Sequence, residues 1–336
     1  MRVATFSGGT RVLKSRRAFG ALAVSLGLLA AAPVMAQEFP SKPIRLICPY
    51  APGGLTDVLA RLLAKRLGER LGQQVVVENK TGAAGIIGVE AAAKSPPDGY
   101  TILLVGQGQA SVNASLYKDL SYDTLRDFAP LSLVSTFSLV WVSPPDQGPR
   151  TFQELLASAR AKPGTLNYGS AGNASTSHLM TELLKEQANV EMTHVPYRGE
   201  ALVFPEVVSG RLTGTFATVG GALPLIQGGK LRALAVATRE RSKLLPNVPT
   251  VSESGVPNFE VQGWYGILAP AKAPKPVLDR LSKEIMAVAR ESEFREQLQS
   301  RGMESVGGSP EAFGKLIASE TARWRQVVLK SGIKPE

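Results

Sequence analysis

The sequence predicts an α/β protein built as two lobes. Three observations carry this. The chain has 336 residues, more than one ordinary hydrophobic core holds. Strand, loop and helix patterns alternate along it, the signature of a parallel sheet covered by helices. Two β-rich runs, 131–143 and 260–270, exceed what one strand needs and read as crossings between lobes. Hydrophobic residues make up 44% and charged residues 20%, a globular composition.

The first 36 residues read as a signal peptide. Arg2, Arg11, Lys14, Arg16 and Arg17 form a basic start with no acid, and an apolar stretch follows from Ala18 to Ala32. Pro33 and "VMA" come next, and the small residues Val34 and Ala36 suit cleavage before Gln37. The stretch is short for a transmembrane helix. "SRRAF" (Ser15 to Phe19) fits a twin-arginine signal as well as an ordinary secretory one, so both export routes stay open. Cys48 lies well past the cut behind a bulky Ile47, which argues against a lipid anchor. It is the one cysteine, so no intrachain disulfide or cysteine-based zinc site can form; a small buried apolar role is expected. The leader bases account for half of the +10 net charge. The remaining mild excess suits a small anion, and no Lys/Arg block interleaved with aromatics supports nucleic-acid binding. No later run reaches about 18 apolar residues, so a soluble, exported, periplasmic product is expected.

The elements follow in order. "IRLICPY" (44–50) is a strand leading through a Pro/Gly loop to a helix from about Asp57 to Leu71. Thr56 and Asp57 are N-cap types. Leu59, Leu63, Leu67 and Leu71 form its apolar stripe, flanked by Leu55, Val58 and Leu62, with Arg61, Lys65 and Glu69 opposite. "QQVVVENK" is a strand, "TGAAGIIGVEAAAKS" a glycine-rich turn entering a helix, and "YTILLVG" a third strand. After the first crossing run come the capped helix "TFQELLASARAKPG", the strand–loop–helix "TLNYGSAGNASTSHLMTELLKEQ", and the strands in "MTHVPYRG", "RLTGTFATVGG" and "KLRALAVAT". The second crossing run is "EVQGWYGILAP". Two helices, "PKPVLDRLSKEIMAVAR" and "SPEAFGKLIASETARWRQVVLKSG", close the chain, with Ser309–Pro310–Glu311 an N-cap signature.

Four loops share one design, a strand end followed by small residues and a helix start: Pro49–Asp57, Gly106–Asn113, Gly169–His178 and Pro196–Val203. Gly82–Gly88 is a weaker member. In an open α/β sheet such loops gather at the carboxyl edge of the strands. Helix N-termini there offer unpaired N–H groups and partial positive charge, suited to a carboxylate, phosphate or sulfate. One such loop alone is ordinary turn packing; four suggest an anion-binding cleft. Competing chemistries lack their motifs. His178 and His194 are the only histidines and form no H-E-x-x-H pattern, so no metal site is expected, and no cofactor either. No Walker loop exists, and Tyr168 occupies the place where a G-x-S-x-G elbow around Ser170 needs glycine.

"PYAPGGLTDVLARLLAKRLGERLGQQVVVENKTGAAGIIG", "SPPDGYTILLVG", "LNYGSAGNASTSHL", "HVPYRGEA", "GKLRALAVAT", "LPNVPTVSESG" and "GWYGILAPAKAP", in that order, resemble the Bug-type (TctC-like) solute receptors of tripartite tricarboxylate transporters. The likeness covers the whole chain after the leader. It implies a two-lobed periplasmic binding protein of type II topology, with residues 37–138 and 258–336 in one lobe and 139–257 in the other. It implies an organic anion in the cleft between lobes, one carboxylate held largely by backbone groups and waters. A membrane permease of a large and a small subunit would be the partner, and the receptor is expected as a monomer without enzymatic activity. Carried over by motif, the first ligand loop is Tyr50, Ala51, Pro52, Gly53, Gly54, Thr56 and Asp57, aiming backbone N–H groups at the carboxylate; valine at Gly53 or Gly54 would block that approach. The second is Ser170, Gly172, Asn173, Ser175 and Thr176, and the turn after it supplies Tyr197 and Arg198. Asp57 also reads as a plain N-cap, and Arg198 as either a carboxylate partner or a surface residue. Gln107, Gly108 and Thr218 belong to stretches at the specificity end. There the chain departs from the family pattern, with Ala217 and Thr218 where members often carry Asp and a polar neighbour, and with Gln107 and Gln109 where small hydroxyl residues are common. Trp264 and Tyr265 flank the cleft or pack the hinge. The resemblance allows dicarboxylates, tricarboxylates, amino acids and aromatic acids. The alternatives are an exported α/β enzyme acting on a small carboxylate, and a regulator's effector lobe, which would need a DNA-binding segment in place of the leader.

Overall fold

The computed structural model describes residues 39–334, together with Met1 and residues 3–5. The leader's apolar stretch, its twin-arginine motif and the cleavage point before Gln37 lie outside the described residues.

Chain order begins with β1 (Ile44–Cys48), α1 (Leu55–Leu71), β2 (Val75–Asn79), α2 (Ile86–Ala93), β3 (Thr101–Gly106), α3 (Asn113–Leu116), α4 (Thr124–Asp127) and β4 (Phe128–Phe137). It continues through β5 (Leu139–Ser143), α5 (Phe152–Ala161), β6 (Asn167–Ser170), α6 (Thr176–Ala188), β7 (Thr193–Pro196), α7 (Glu200–Val208), β8 (Thr215–Thr218), α8 (Val219–Gln227) and β9 (Arg232–Val236). It ends with β10 (Gly263–Pro270), α9 (Lys275–Arg290), α10 (Ser292–Gln299), β11 (Met303–Ser305) and α11 (Pro310–Ser331).

Two sheets follow one plan. The first runs β2-β1-β3-β10-β4-β11. In the second, β8-β5-β9 joins the pair β6-β7 through a bridge between Tyr168 and Gly214, giving β7-β6-β8-β5-β9. In each sheet the strand arriving from the other lobe slots in antiparallel: β10 between β3 and β4, β5 between β8 and β9. This doubled order is the two-lobed, type II arrangement. The β2-β1-β3 and β6-β7 pairings are parallel, as the strand–helix alternation predicts, and the guest strand runs against its neighbours. β3 and β5 are buried along their whole length, as strands covered on both faces must be. Ile47, Leu103, Val105, Leu268 and Phe313 pack one core, and Val140, Val142, Val203, Leu212 and Val236 the other.

The two links between sheets lie side by side. The long run predicted from sequence breaks at Ser138, with β4 in the first sheet and β5 in the second. On the return, β10 lies wholly in the first sheet, so the link falls just before Gly263 instead of along the whole of 260–270. Val261 N–H donates to Ala237 O at 2.9 Å, Ala237 N–H to Leu139 O at 2.8 Å, and Gly263 pairs with Phe137.

The start of α1 differs from the sequence expectation. Gly54 is the N-cap and Leu55 the first helical residue, so Thr56 and Asp57 sit inside the first turn. Glycine caps nearly as well as Ser or Asp. Asp57, 3% exposed, reaches back to accept from Gly53 N–H at 2.9 Å, in the manner of a capping box. It also accepts from Arg61 Nε and Asn79 Nδ2, each at 2.9 Å. Burial alone would raise its pKa, but these hydrogen bonds outweigh burial and hold it below the usual carboxylate value.

Under the second lobe's loop, Tyr168, His194 and His178 form a stack with ring centroids 5.0 and 3.7 Å apart. Ala174 N–H donates to His178 Nδ1 at 3.0 Å. That bond leaves the ring proton on Nε2 and pins Ala174 at φ 57°, a left-handed value uncommon for alanine. Burial, then the neighbouring His194 and Lys185, push the His178 pKa down to about 3.

Two outcomes are expected. Gly53 has φ +84° and open space where a Cβ would stand, whereas Gly54 has φ −79° and a nearest Cβ neighbour at 3.7 Å. Gly53→Ala should therefore cost about 1 kcal/mol in urea unfolding and Gly54→Ala no more than about 0.5 kcal/mol; equal costs would contradict the conformational assignment. His178 binds its proton less readily folded than unfolded, so its contribution to stability is complete above pH 6.5 and is lost as pH falls toward 3. Melting temperatures should fall across that window in the native protein and fall less in His178→Asn; parallel profiles would contradict a neutral, buried His178.

Candidate ligand-binding site

A cavity of about 370 Å³ opens where the carboxyl ends of the two sheets face each other. From the first lobe its wall holds Tyr50, Ala84, the Gly106–Gln109 segment, Trp264 and Tyr265; from the second, Ala171, residues 173–177, Glu200, Val203, Phe216 and Thr218. Phe137 and Leu139, on either side of the first link, also line it.

The second-lobe wall is the N-terminus of α6. Ser175 is its N-cap, and its hydroxyl accepts from His178 N–H at 3.4 Å. The loop ahead satisfies itself: Ala171 N–H donates to Ser177 Oγ, Gly172 N–H to Ser170 Oγ, and Ser175 N–H to Gly172 O. Thr176 and Ser177, the first two helical residues, have no acceptor for their amides within the helix. Both line the cavity, so the helix presents two N–H groups and its positive dipole end to whatever enters.

The first-lobe wall is aromatic and amide-rich. Tyr265 stacks on Phe137 at 5.0 Å and meets Tyr50 edge-on at 6.1 Å. Tyr50 donates its hydroxyl to Gln109 Oε1, and Gln109 Nε2 donates to Ala84 O at 3.1 Å. That bond braces a turn in which Gly82, Ala83, Ala84 and Gly85 all have positive φ. Two buried polar atoms on this wall have no hydrogen-bond partner, Gln107 Oε1 and Trp264 Nε1. The Gln107 amide is oriented by Glu320, which accepts from Nε2.

Glu200, the first residue of α7, also faces the cavity. Its carboxyl accepts from Thr218 N–H at 2.5 Å and from Thr218 Oγ1 at 3.0 and 3.1 Å. Burial raises its pKa to about 7 against the opposing effect of those bonds.

Of the residues selected from sequence, Tyr50, Gln107, Gly108, Asn173, Ser175, Thr176 and Thr218 line the cavity. Gly172, Tyr197 and an exposed Arg198 line an adjoining one of about 570 Å³, with Asn173 shared. Ala51, Pro52, Gly53 and Gly54 lie exposed on their loop, outside both walls, and the Gly53 amide is taken by Asp57. Thr56 and Asp57 are buried in α1; Thr56 serves the wall indirectly by hydrogen bonding to Tyr265. Ser170 is fully buried beneath its loop, 2.6 Å from His194 Nε2. Cys48 is fully buried too, and burial pushes its thiol up to about 11, as a small apolar side chain requires. Sequence reasoning placed the Pro196–Val203 loop at the cleft without singling out Glu200 or Val203, and it missed Phe137, Leu139 and Phe216. An acid opening a helix reads as a solvated dipole partner, and the apolar members read as core. Among the described residues no group of His, Cys, Asp and Glu could hold a metal ion, and no helix is long and apolar enough to cross a membrane.

Comparison with known proteins accords with this geometry. The family model described as "Tripartite tricarboxylate transporter family receptor" (TctC) matches residues 59–333. A UPF0065 protein from the tcbD-tcbE intergenic region of Pseudomonas sp. (strain P51) is 38% identical over 316 residues, 94% of each chain. The structure of R. palustris Rpa4515 with adipate superposes with a TM-score of 0.80 at 34% identity, over 89% of this chain and 100% of that one. MatC (Rpa3494) from Rhodopseudomonas palustris with bound malate gives 0.76 at 29% identity, over 86% and 100%. This chain belongs to the TctC family of tripartite tricarboxylate transporter receptors, the Bug-type solute-binding proteins.

Proposed function

We propose that the protein is a periplasmic receptor that binds a small organic carboxylate between its lobes and delivers it to a tripartite tricarboxylate-type permease of a large and a small membrane subunit. The observation that carries the reading is the start of α6, where the Thr176 and Ser177 residues face the cavity with amides that the helix cannot satisfy. Carboxylate ligands in two relatives, adipate and malate, support it. In this reading residues 37–138 and 258–336 form one lobe and 139–257 the other. They close about the paired links at Ser138 and Val261. The receptor acts as an exported monomer after removal of its leader.

An exported enzyme has one observation in its favour, the 2.6 Å contact between Ser170 Oγ and His194 Nε2. Ser170, however, has no exposed surface and lies outside the cavity wall, and its hydroxyl also donates to Gly172 O at 3.0 Å. A nucleophile there would meet no substrate, so the receptor reading stands.

The test isolates the backbone amide. Proline is tolerated at the first helical position, and Ser175 already has the extended conformation that a residue before proline adopts, φ −62°, ψ 159°. Thermal-shift screening of the mature chain with adipate, malate and related acids identifies a ligand for calorimetry. Thr176→Ala should cost about 0.5–1.5 kcal/mol of affinity. Thr176→Pro, which also removes the N–H, should cost about 1.5–3 kcal/mol more, the worth of a hydrogen bond to a charged group. Arg198→Ala should cost less than either. Equal affinities for the alanine and proline variants, with binding abolished by Arg198→Ala, would replace amide recognition by an ion pair.

A further inference from the structure

The cavity offers two kinds of polar group. At the start of α6 it offers N–H donors. Elsewhere its lining offers acceptors that lack a match. Glu200 carries a carboxyl served only by Thr218, and among the described residues it has no ion-pair partner. Gln107, 3% exposed, turns its Nε2 to Glu320 and leaves Oε1 unpartnered. Both residues line the cavity that Tyr265 also lines. The Tyr265 ring lies 3.2 Å from where a Cβ on Gly106 would stand, directly before Gln107, and the charge of Glu200 helps raise the Tyr265 pKa.

We propose that Glu200 and Gln107 are the discriminating groups of the cavity, selecting a carboxylate that also carries a hydrogen-bond-donating ammonium over one that carries a second carboxylate. The inference rests on the carboxylate-receptor reading above and adds the chemistry of the ligand's second group. A buried acceptor without a donor costs free energy, and so does a carboxylate partly withdrawn from water without a cation. An ammonium supplies three donors and the missing charge at once. A second carboxylate would meet acceptors and a like charge, and could enter only by keeping Glu200 protonated.

The groups around Glu200 leave it free to respond. β8 and the start of α8 contribute Thr218 and Gly221, and β10 contributes Tyr265; Thr176 and Ser177 of α6 line the same cavity. None of these is cationic. Burial, reinforced by the Glu200 charge, pushes Tyr265 up to about 12, so it stays neutral. Arg198, two residues before Glu200, is exposed and lines the adjoining cavity. With Glu200 near 7 in the free protein, the two ligand types have opposite linkage. Binding an ammonium favours the ionised carboxylate, so affinity falls as pH drops through 7. Binding a second carboxylate requires the protonated acid, so affinity falls as pH rises through 7.

Calorimetric titration of the mature protein with matched pairs reads this directly: succinate against 4-aminobutyrate, glutarate against 5-aminopentanoate, adipate against 6-aminohexanoate, at pH 6 and pH 8. The best-fitting amino acid should bind at least tenfold more tightly than its dicarboxylate partner at pH 8, and its affinity should rise from pH 6 to pH 8. Glu200→Gln, with folding checked by its melting temperature, should abolish both the preference and the pH dependence. The native pH profiles stand independently of that variant. A dicarboxylate binding more tightly than its amino partner at pH 8, or a preference unchanged in folded Glu200→Gln, overturns this inference and leaves the receptor reading intact. Binding by no member of either series overturns both.

Discussion

Everything in the molecule that concerns ligand depends on a pair of adjacent backbone links. The Ser138 link sends the chain from β4 into β5, and the Val261 link returns it to β10. The Ala237–Leu139 and Val261–Ala237 hydrogen bonds hold them together. Each strand delivered by a link is trapped in the middle of the sheet it enters, antiparallel between two partners. Neither lobe can therefore shed its guest strand without breaking two ladders. In the proposed receptor, any relative motion of the lobes must therefore fall on the short stretch between sheets. The same topology turns the carboxyl ends of both sheets toward one space, so the loops that begin α6 and α7 face those that follow β1 and β3.

Within that space charge is distributed without a lysine or arginine among the described residues of the cavity wall. The positive end is made of peptide dipoles at α6, fixed in place by Ser175, His178 and the left-handed Ala174. Such donors are preorganised and need no side-chain ordering when a carboxylate arrives. Glu200 supplies the opposite polarity. The aromatic side chains Tyr265, Phe137 and Phe216 line the same wall between polar groups. Strained backbone at Ala83, Ala84 and Ala174 lies on these walls, consistent with conformational cost concentrated where the cleft must keep a set shape.

Much of the fold was legible in the sequence because its signals are local. Helix α6 announces itself through small polar residues before an apolar periodicity, and β3 through the apolar run in "YTILLVG". The break at Ser138 lay inside a run too long for one sheet. The antiparallel placement of β5 and β10 was not legible, since it depends on partners far away in sequence. The start of α1 was misplaced because Thr56 and Asp57 look like caps, while the function passed to Gly54 and the Asp57 carboxylate turned back to Gly53. The site divided in the same way. Ser175 and Thr176 were found through helix-start chemistry, and Gln107 and Thr218 through departures from a family pattern. Glu200 was missed because its meaning comes only from the cavity it faces and the cation it lacks.

The central claim is that the two lobes are a clamp that closes on its ligand about those links. Small-angle X-ray scattering of the mature protein, with and without the acid that raises its melting temperature most, tests this directly. The account predicts a smaller radius of gyration at saturating ligand, with the amplitude following the calorimetric binding curve. An unchanged radius at saturation would contradict it.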